Sequence, residues 1–323
     1  MPQKVLITGA TGFVGSNLVR KLVRENYEVH VLTRNRSDRW RLADIAGRIN
    51  NHSADLLDSD RLKNTVEKIQ PDIIFHLATM AIYGGVHFPE KKVIENNLFG
   101  TINLINACDD IDYRCFINTG SSSEYGPKAH PMKESDVCEP VNVYGISKCA
   151  STCYATFAAK TKNKPIINLR LFSPFGPYDD SRRLMPYVIA SALHGKELNL
   201  ADRNAVRDYV YIDDVVDIYL KSINIADAYR GEIFNVGRGE SISVEYVVKK
   251  VLEITSSKSP VKWGTFSGRD YDCSRWEADI EKTSWCFNWK PKYNIEAGIS
   301  EVVRWFEGKP QLLDDYIYKI EKA

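Results

Sequence analysis

Tyr144 and Lys148 stand four residues apart in the run Tyr-Gly-Ile-Ser-Lys. On a helix that interval puts both side chains on one face. A free tyrosine titrates near ~10, and a neighbouring ammonium favours its phenolate form. Lys148 can therefore tune Tyr144 as a proton donor and acceptor. The same spacing also occurs on solvated helix faces, so the rest of the chain has to decide between the two. Near the N-terminus, Lys4-Val-Leu-Ile-Thr8 reads as a short buried strand running into Gly9-Ala-Thr-Gly12-Phe-Val-Gly15. Phe13, Val14, Leu18, Leu22 and Val23 then recur at helical spacing. Glycines at a strand-to-helix turn let backbone approach a pyrophosphate, and the helix N-terminus offers N–H groups and partial positive charge. Gly9, Thr11, Gly12, Phe13 and Val14 are the expected dinucleotide contacts.

The 323 residues are 44% hydrophobic, enough for a sizeable core or two fused lobes. Lys and Arg total 43 against 42 Asp and Glu, a net charge of +1. That balance gives no electrostatic footprint for nucleic acid. No apolar run approaches the ~20 residues that span a bilayer, and Met-Pro-Gln-Lys leads into a strand rather than a signal peptide. A cytoplasmic protein with no membrane partner is expected. Seven cysteines (108, 115, 138, 149, 153, 273, 286) without a Cys-x-x-Cys pair fit reduced thiols. Cys149 and Cys153 share a helix face, and with no histidine nearby they read as packing residues. His76, in an apolar strand, reads as a packed, hydrogen-bonded histidine, and no metal site is expected around it or His87.

Strands and helices alternate through the first half, the pattern of an α/β protein with a doubly wound parallel sheet, Rossmann-like. The strands expected are Lys4 to Thr8, Glu28 to Thr33, Ile49 to Ala54, Ile73 to Leu77, Cys115 to Thr119 and Ile166 to Leu171. One long helix is expected from Lys92 to Cys108, and the helix of Tyr144 extends to about Lys160. Two such helices on one sheet face are candidates for a homodimer contact. After Phe172 the pattern loosens into Ser173-Pro-Phe-Gly-Pro-Tyr-Asp-Asp, a helix at Leu184 to His194, a strand at Tyr209 to Ile212 and a helix at Asp213 to Ile223. Residues 1–172 read as a dinucleotide-binding domain, rejoined by about 205–238 because Ile233 to Val236 can re-enter the sheet. Residues 173–323 read as a smaller, interleaved C-terminal α/β substrate lobe. Trp289 and Trp305 read as packing residues of that lobe.

Several motifs in order resemble the extended short-chain dehydrogenase/reductase family, the nucleotide-sugar epimerases, dehydratases and reductases. Gly9 to Gly15 resembles its Gly-x-x-Gly-x-x-Gly loop, Pro71-Asp-Ile-Ile-Phe-His-Leu-Ala78 its fourth strand, and Asn97-Leu-Phe-Gly-Thr101 its Asn-Val-x-Gly-Thr. Ser121-Ser-Ser-Glu-Tyr-Gly126 is similar to its serine-rich segment, and Tyr144 to Lys148 follows at the usual interval. Arg207-Asp-Tyr-Val-Tyr-Ile-Asp-Asp214 looks like its substrate-lobe signature.

The resemblance implies a catalytic set of Ser121, Tyr144 and Lys148. Ser121 would hydrogen-bond the reacting oxygen, Tyr144 would exchange its proton, and Lys148 would also hold the nicotinamide ribose. It places Asp55 and Leu56 at the adenine, and Leu77, Ala78, Thr79 and Asn97 along the cofactor. Ser122, Ser173, Arg207 and Arg269 fall at substrate positions, the two arginines gripping a diphosphate. Met80, Ile82 and Tyr83 either line the sugar pocket or pack a loop. Ser173 replaces the family's asparagine in Arg-x-Phe-Asn-x-Tyr-Gly-Pro. Sugar 4,6-dehydratases carry acidic residues directly after the catalytic Ser/Thr, where this chain has Ser122 and Ser123. Glu124 falls one step late, where the family usually has an apolar residue. Arg34, ending the second strand, suits a 2′-phosphate, so NADP(H) is preferred and NAD(H) remains open, since Arg34 can also belong to a basic surface loop with Arg36, Arg39 and Arg41. The expected activity is NADPH-dependent reduction of a 4-keto nucleoside-diphosphate sugar. A 4-epimerase or C4-dehydrogenase using NAD, a reductase of another carbonyl compound and a non-catalytic nucleotide-sensing relative are the alternatives.

Overall fold

The computed structural model of the chain describes residues 2–81, 88–266 and 275–322. Tyr83 and Arg269, like Ile82, His87 and Cys273, lie outside them. The apolar runs of the first half form β1 (Lys4–Thr8), β2 (Glu28–Thr33), β3 (Asn50–Ser53), β4 (Ile73–His76), β5 (Cys115–Ser121) and β6 (Ile166–Leu171). Between them lie α1 (Phe13–Arg24), α2 (Ser59–Ile69), α3 (Glu90–Ile94), α4 (Gly100–Ala107) and α5 (Val143–Thr161). Asp58 caps α2 by accepting the Arg61 amide, and Asn142 caps α5 by accepting that of Gly145. The second half adds β7 (Ser173–Phe175), α6 (Leu184–Leu193), β8 (Leu198–Leu200), β9 (Val206–Arg207), β10 (Tyr209–Tyr211) and α7 (Ile212–Ile225). It continues with β11 (Ile233–Val236), β12 (Ile242–Ser243), α8 (Val244–Thr255), β13 (Val261–Trp263), α9 (Glu281–Phe287), α10 (Ile295–Glu307) and α11 (Pro310–Glu321).

Seven strands form one parallel sheet in the order β11-β6-β5-β4-β1-β2-β3. Alternate residues of each strand face opposite sides, so the sheet is buried twice. Val5, Ile7, Val29, Val31 and Phe75 belong to the core on the side of α1 and α7. Leu6, Leu32, Ile74 and Phe116 belong to the other, where α2, α4 and α5 pack on one another. Each fully buried Val, Leu or Ile contributes roughly 1.5–3 kcal/mol of transfer free energy. Two short pairs outside the sheet, β10 with β7 and β12 with β9, carry Ser173 and Arg207.

The expected helix from Lys92 to Cys108 is interrupted. Between α3 and α4, Glu95–Phe99 makes a π-helical turn. Asn97 sits in it, and its carbonyl accepts the Thr101 and Ser151 hydroxyls at 2.6 and 2.8 Å. A wider turn of this kind leaves a carbonyl for side chains to claim, and hydrophobic periodicity carries no sign of it.

The strand order reverses direction between β1 and β4, the place where open parallel sheets form a crevice at their C-terminal ends. Gly9 and Leu77 leave the sheet there. Among the described residues, no helix is long and apolar enough to cross a membrane.

Candidate active site

The crevice widens into a cavity of about 810 Å³, within the range of small-molecule and cofactor sites. Its floor is the glycine loop. Gly9 has φ +70°, and a Cβ there would lie 2.5 Å from the Ala78 nitrogen, so only glycine lets β1 and the end of β4 approach this closely. A Cβ at Gly15 would come 2.2 Å from the Gly9 carbonyl oxygen, so Gly15 lets the helix close onto the loop. No side chain caps α1, and Gly12, Phe13 and Val14 line the cavity, so its first-turn N–H groups remain for a ligand. These features fit a pyrophosphate at the helix N-terminus.

Along one side, Thr33 ends β2 and Arg34 and Ser37 follow it, with Asp55 and Leu56 beyond β3. The Arg34 amide donates to Ser37 Oγ at 3.1 Å, fixing the turn. Two other members of the basic run are tied to backbone or side chains nearby, and one of them, Arg41, also lines the cavity. Arg39 donates to Thr33 Oγ1 at 3.1 Å, and Arg41 donates to the Tyr178 carbonyl at 2.7 Å. Arg34, directly after β2, is exposed beside the cavity.

At the centre, Ser121 and Tyr144 line the cavity with Ala78 and Thr79. Ser121 ends β5, and Tyr144 lies in the first turn of α5 with Lys148 one turn on. Burial raises the Tyr144 phenol above its ordinary range, more than hydrogen bonding by Ser121, the Arg183 charge and hydrogen bonding by Thr79 lower it, while the Glu124 carboxylate raises it further. Lys148 is buried, which lowers it to about 8 against the pull of the Glu124 carboxylate. The phenol is thus held protonated, in contrast to the phenolate-favouring effect the Tyr/Lys spacing suggests.

Asn97 is buried rather than open to the cavity. It accepts the Met80 amide at 2.7 Å and donates to Ser147 Oγ at 2.9 Å, joining the segment after β4 to α5. His76 is also buried, between Thr8 Oγ1 at 2.7 Å and Thr101 Oγ1 at 2.9 Å. Burial lowers it to about 3, with the Lys148 charge acting the same way, so it is a neutral structural ring.

From the second half, Ser173, Arg182, Arg183, Arg207 and Trp276 line the opposite wall. Trp276 Nε1 donates to Ser122 Oγ at 3.0 Å, and the Arg207 guanidinium lies 5.5 Å from the Trp276 ring centroid. Asp208 holds the neighbouring loops together by accepting the amides of Arg238, Gly239 and Ala278 at 2.6, 2.9 and 2.9 Å. Asp214 likewise accepts those of Lys292 and Tyr293. Asp208 and Asp214 are therefore braces, and Arg207 is the residue of this run at the cavity.

A sequence model described as the NAD dependent epimerase/dehydratase family matches residues 5–237. The chain belongs to this family. A UDP-glucose 4-epimerase of Lactobacillus helveticus is 25% identical over 332 residues, covering 97% of this chain and 99% of the relative. A dTDP-glucose 4,6-dehydratase of Salmonella typhimurium is 26% identical over 349 residues, covering 97% and 95%. The crystal structure of UDP-glucose 4-epimerase with UDP-glucose from Thermotoga maritima superposes with a TM-score of 0.86 at 25% identity, covering 95% of this chain and all of that one.

Within this epimerase/dehydratase fold, most of the residues singled out in the sequence meet at one cavity. Lys148 and Asn97 lie buried behind it, and Tyr83 and Arg269 are outside the described residues. Glu124, Arg170, Arg183 and Trp276 take part without a sequence expectation of these roles. Glu124 is fully buried; its Oε1 accepts the Ser121 amide at 2.8 Å and the Thr152 hydroxyl at 3.0 Å, and its Oε2 accepts Arg170 Nε at 2.7 Å. Two signals pointed there. Ser121-x-x-Glu124 has capping-box spacing, and an arginine inside the apolar strand Ile-Ile-Asn-Leu-Arg-Leu needs a buried partner.

Proposed function

We propose that the protein reduces the 4-keto group of a nucleoside-diphosphate sugar, most simply a deoxysugar, using NADPH. The observation that carries this reading is the continuity of one cavity from the uncapped N-terminus of α1, past Ser121 and Tyr144, to Arg207 and Trp276. A dinucleotide and a sugar nucleotide need those two ends, with the reacting carbon between them.

A bound nicotinamide supplies hydride to the carbonyl carbon. The chain's residues do the rest. Ser121 hydrogen-bonds the carbonyl oxygen and steadies its developing charge. Tyr144 gives that oxygen its proton, and its raised pKa keeps the proton available. Lys148 holds the nicotinamide ribose and supports the phenolate left behind. Arg207 grips the diphosphate, with Arg269 and Tyr83 proposed to complete the substrate site. Arg34 at the end of β2, where a carboxylate would bind a ribose 2′-hydroxyl, supports NADP(H).

Dehydration is disfavoured because Ser122 and Ser123 follow Ser121, and Glu124 is engaged with Arg170 rather than open to substrate. NAD-dependent 4-epimerisation is the second reading, favoured by the names of the 4-epimerase relatives. We also place the protein in the cytoplasm, and as a homodimer, the latter supported by exposed Phe99, Ile146 and Phe157 on or beside α4 and α5. Residues 1–172 with 205–238 would form the cofactor domain and the remainder of 173–323 the substrate lobe.

The test incubates the protein with NADPH and a 4-keto-6-deoxy nucleoside-diphosphate sugar. Stoichiometric NADPH oxidation with formation of the 4-hydroxy sugar is expected. Interconversion of C4 epimers with no net cofactor change would replace the first reading by the second.

A further inference from the structure

Arg183 stands at the N-cap of α6, in the second half of the chain, and lines the cavity together with Gly12, Phe13 and Val14. Its guanidinium carbon lies 5.9 Å from the centre of the Phe13 ring, and Phe13 is the first residue of α1. Arg183 Nη1 donates to Asp179 Oδ1 at 3.1 Å, the one side-chain hydrogen bond it gives among the described residues. The arginine side chain is 32% exposed, whereas that of Asp179 is buried. A fixed carboxylate on one side and the cavity on the other hold an arginine fork that has further N–H donors to offer.

We propose that Arg183 reaches over the N-terminus of α1 from the substrate lobe and grips the pyrophosphate of the dinucleotide. The proposal rests on the reading of this cavity as a dinucleotide site. Both phosphates of that group are charged. The helix end facing them offers only roughly half an elementary charge, and Phe13 to Asn17 carry none. A guanidinium adds a full charge and can hydrogen-bond a phosphate bidentately while keeping its carboxylate partner. The neighbouring arginines are engaged differently. Arg182 is closed on Asp180, with Nε and Nη2 both donating to that carboxylate at 2.8 Å. Arg41 also reaches the glycine loop, but its Nε and Nη1 donate to the Tyr178 and Thr11 carbonyls at 2.7 and 3.4 Å.

The segment that carries Arg183 gives independent support. Pro177 to Asp179 is tied down from three sides. Asn17 of α1 donates to the Pro177 carbonyl at 2.9 Å, Arg41 to that of Tyr178, and the Tyr316 hydroxyl of α11 to that of Asp179 at 2.5 Å. Tyr178 is held at φ +69°, a left-handed conformation that a tyrosine adopts only where its surroundings impose it. Strain of this kind collects at ligand clamps, and here it falls in the turn between the α1 contact and Asp179. Burial raises the Tyr144 phenol most, and the Arg183 charge is among the groups that lower it. Arg183 is thus placed at the glycine loop within reach of the reacting centre, where a pyrophosphate joins the nicotinamide half of a dinucleotide. Arg207 stands with Trp276 beside Ser122 and is left to the diphosphate of the sugar nucleotide.

Removing Arg183 alone leaves the buried Asp179 unpaired, so Arg183→Gln is compared with the double variant Asp179→Asn/Arg183→Gln, which removes both charges. Each is titrated with NADPH and NADH by nicotinamide fluorescence and with free UDP by calorimetry. Both variants should raise Kd for the dinucleotide about 10- to 100-fold, the size of a lost charged hydrogen bond, and leave Kd for UDP within about threefold of wild type. Arg183→Lys keeps the charge without the fork and should fall between. Hydrogen exchange gives a second readout. Bound NADPH should slow the amides of residues 178–185 in the wild type but not in Arg183→Gln at equal occupancy, while the amides of residues 12–16 stay protected in both. Unchanged dinucleotide affinity in both variants would overturn the proposal. A loss confined to UDP would overturn it as well, by moving Arg183 to the sugar nucleotide. Wild-type protein that binds NADPH without reducing a 4-keto sugar would count against the reaction proposed above and leave the clamp standing. Wild-type protein that binds neither dinucleotide would remove the dinucleotide reading and the clamp with it.

Discussion

Glu124 and Arg170 form a fully buried ion pair, Oε2 to Nε 2.7 Å, and the carboxylate's other oxygen holds the backbone of Ser121 at 2.8 Å. Burial opposes charge on Arg170, and Glu124, with Tyr125 and Cys138 adding to it, more than offsets that, so the guanidinium stays charged. Glu124 is thus a positioning residue for the end of β5. Glu124→Ala leaves an unpaired buried cation, and stability measured by denaturant should fall by roughly 3–5 kcal/mol. Glu124→Gln keeps shape and loses charge. Its kcat should drop about 10- to 100-fold with KM nearly unchanged, as for a misplaced reacting group. A wild-type kcat would mean that Ser121 does not depend on this clamp.

In the proposed reaction Arg34 sets the preference for NADPH. Arg34→Glu should raise KM for NADPH at least about tenfold, equivalent to roughly 1.4 kcal/mol, and change KM for NADH much less. Steady-state kinetics with both cofactors decide the matter, and equal effects on the two would remove Arg34 from the 2′-phosphate site.

At the other end of the cavity, Arg207→Ala should weaken binding of a free nucleoside diphosphate by about 10- to 100-fold, the size of a lost charged hydrogen bond. Calorimetric titration measures this without any turnover. Trp276→Phe keeps a ring beside Arg207 but removes the donor to Ser122. It should affect sugar-nucleotide kinetics more than binding of the free diphosphate.

His76 gives a pH signature of the fold. Its unfolded value is 6.5 and its folded value about 3, so between those limits the unfolded chain binds one proton more than the native one. That stability is fully present above pH 6.5 and is lost as pH falls below it, by about 1.4 kcal/mol per unit. Denaturant melts between pH 5.5 and 4.5 should show this slope reduced by about that amount in His76→Gln. Parallel slopes would mean that the ring is protonated in the folded state.

Local order made much of the fold legible. Apolar strands, the glycine loop and helical spacing depend on neighbours a few residues away, and β1, β2 and β6 match their expected ranges. The polar strand β3 is short and its edges are less marked. What the sequence concealed is long-range. Glu124 meets Arg170 across 46 residues, and Trp276 meets Ser122 across 154. Neither pairing leaves a local periodic trace. The π turn at Asn97 depends on hydroxyls of Thr101 and Ser151, of which one comes from another helix. Glu124, read as a departure from family pattern, proved to be the residue that fixes Ser121.

In the proposed reaction Tyr144 exchanges the proton while the cavity around it binds cofactor and sugar nucleotide. Tyr144→Phe removes one hydroxyl from a side chain that otherwise keeps its packing. Turnover with NADPH and the 4-keto sugar nucleotide should fall by at least about 100-fold, the scale of general acid catalysis, while NADPH binding stays within a few-fold of wild type. Unchanged turnover in this variant would remove Tyr144 from the proton transfer.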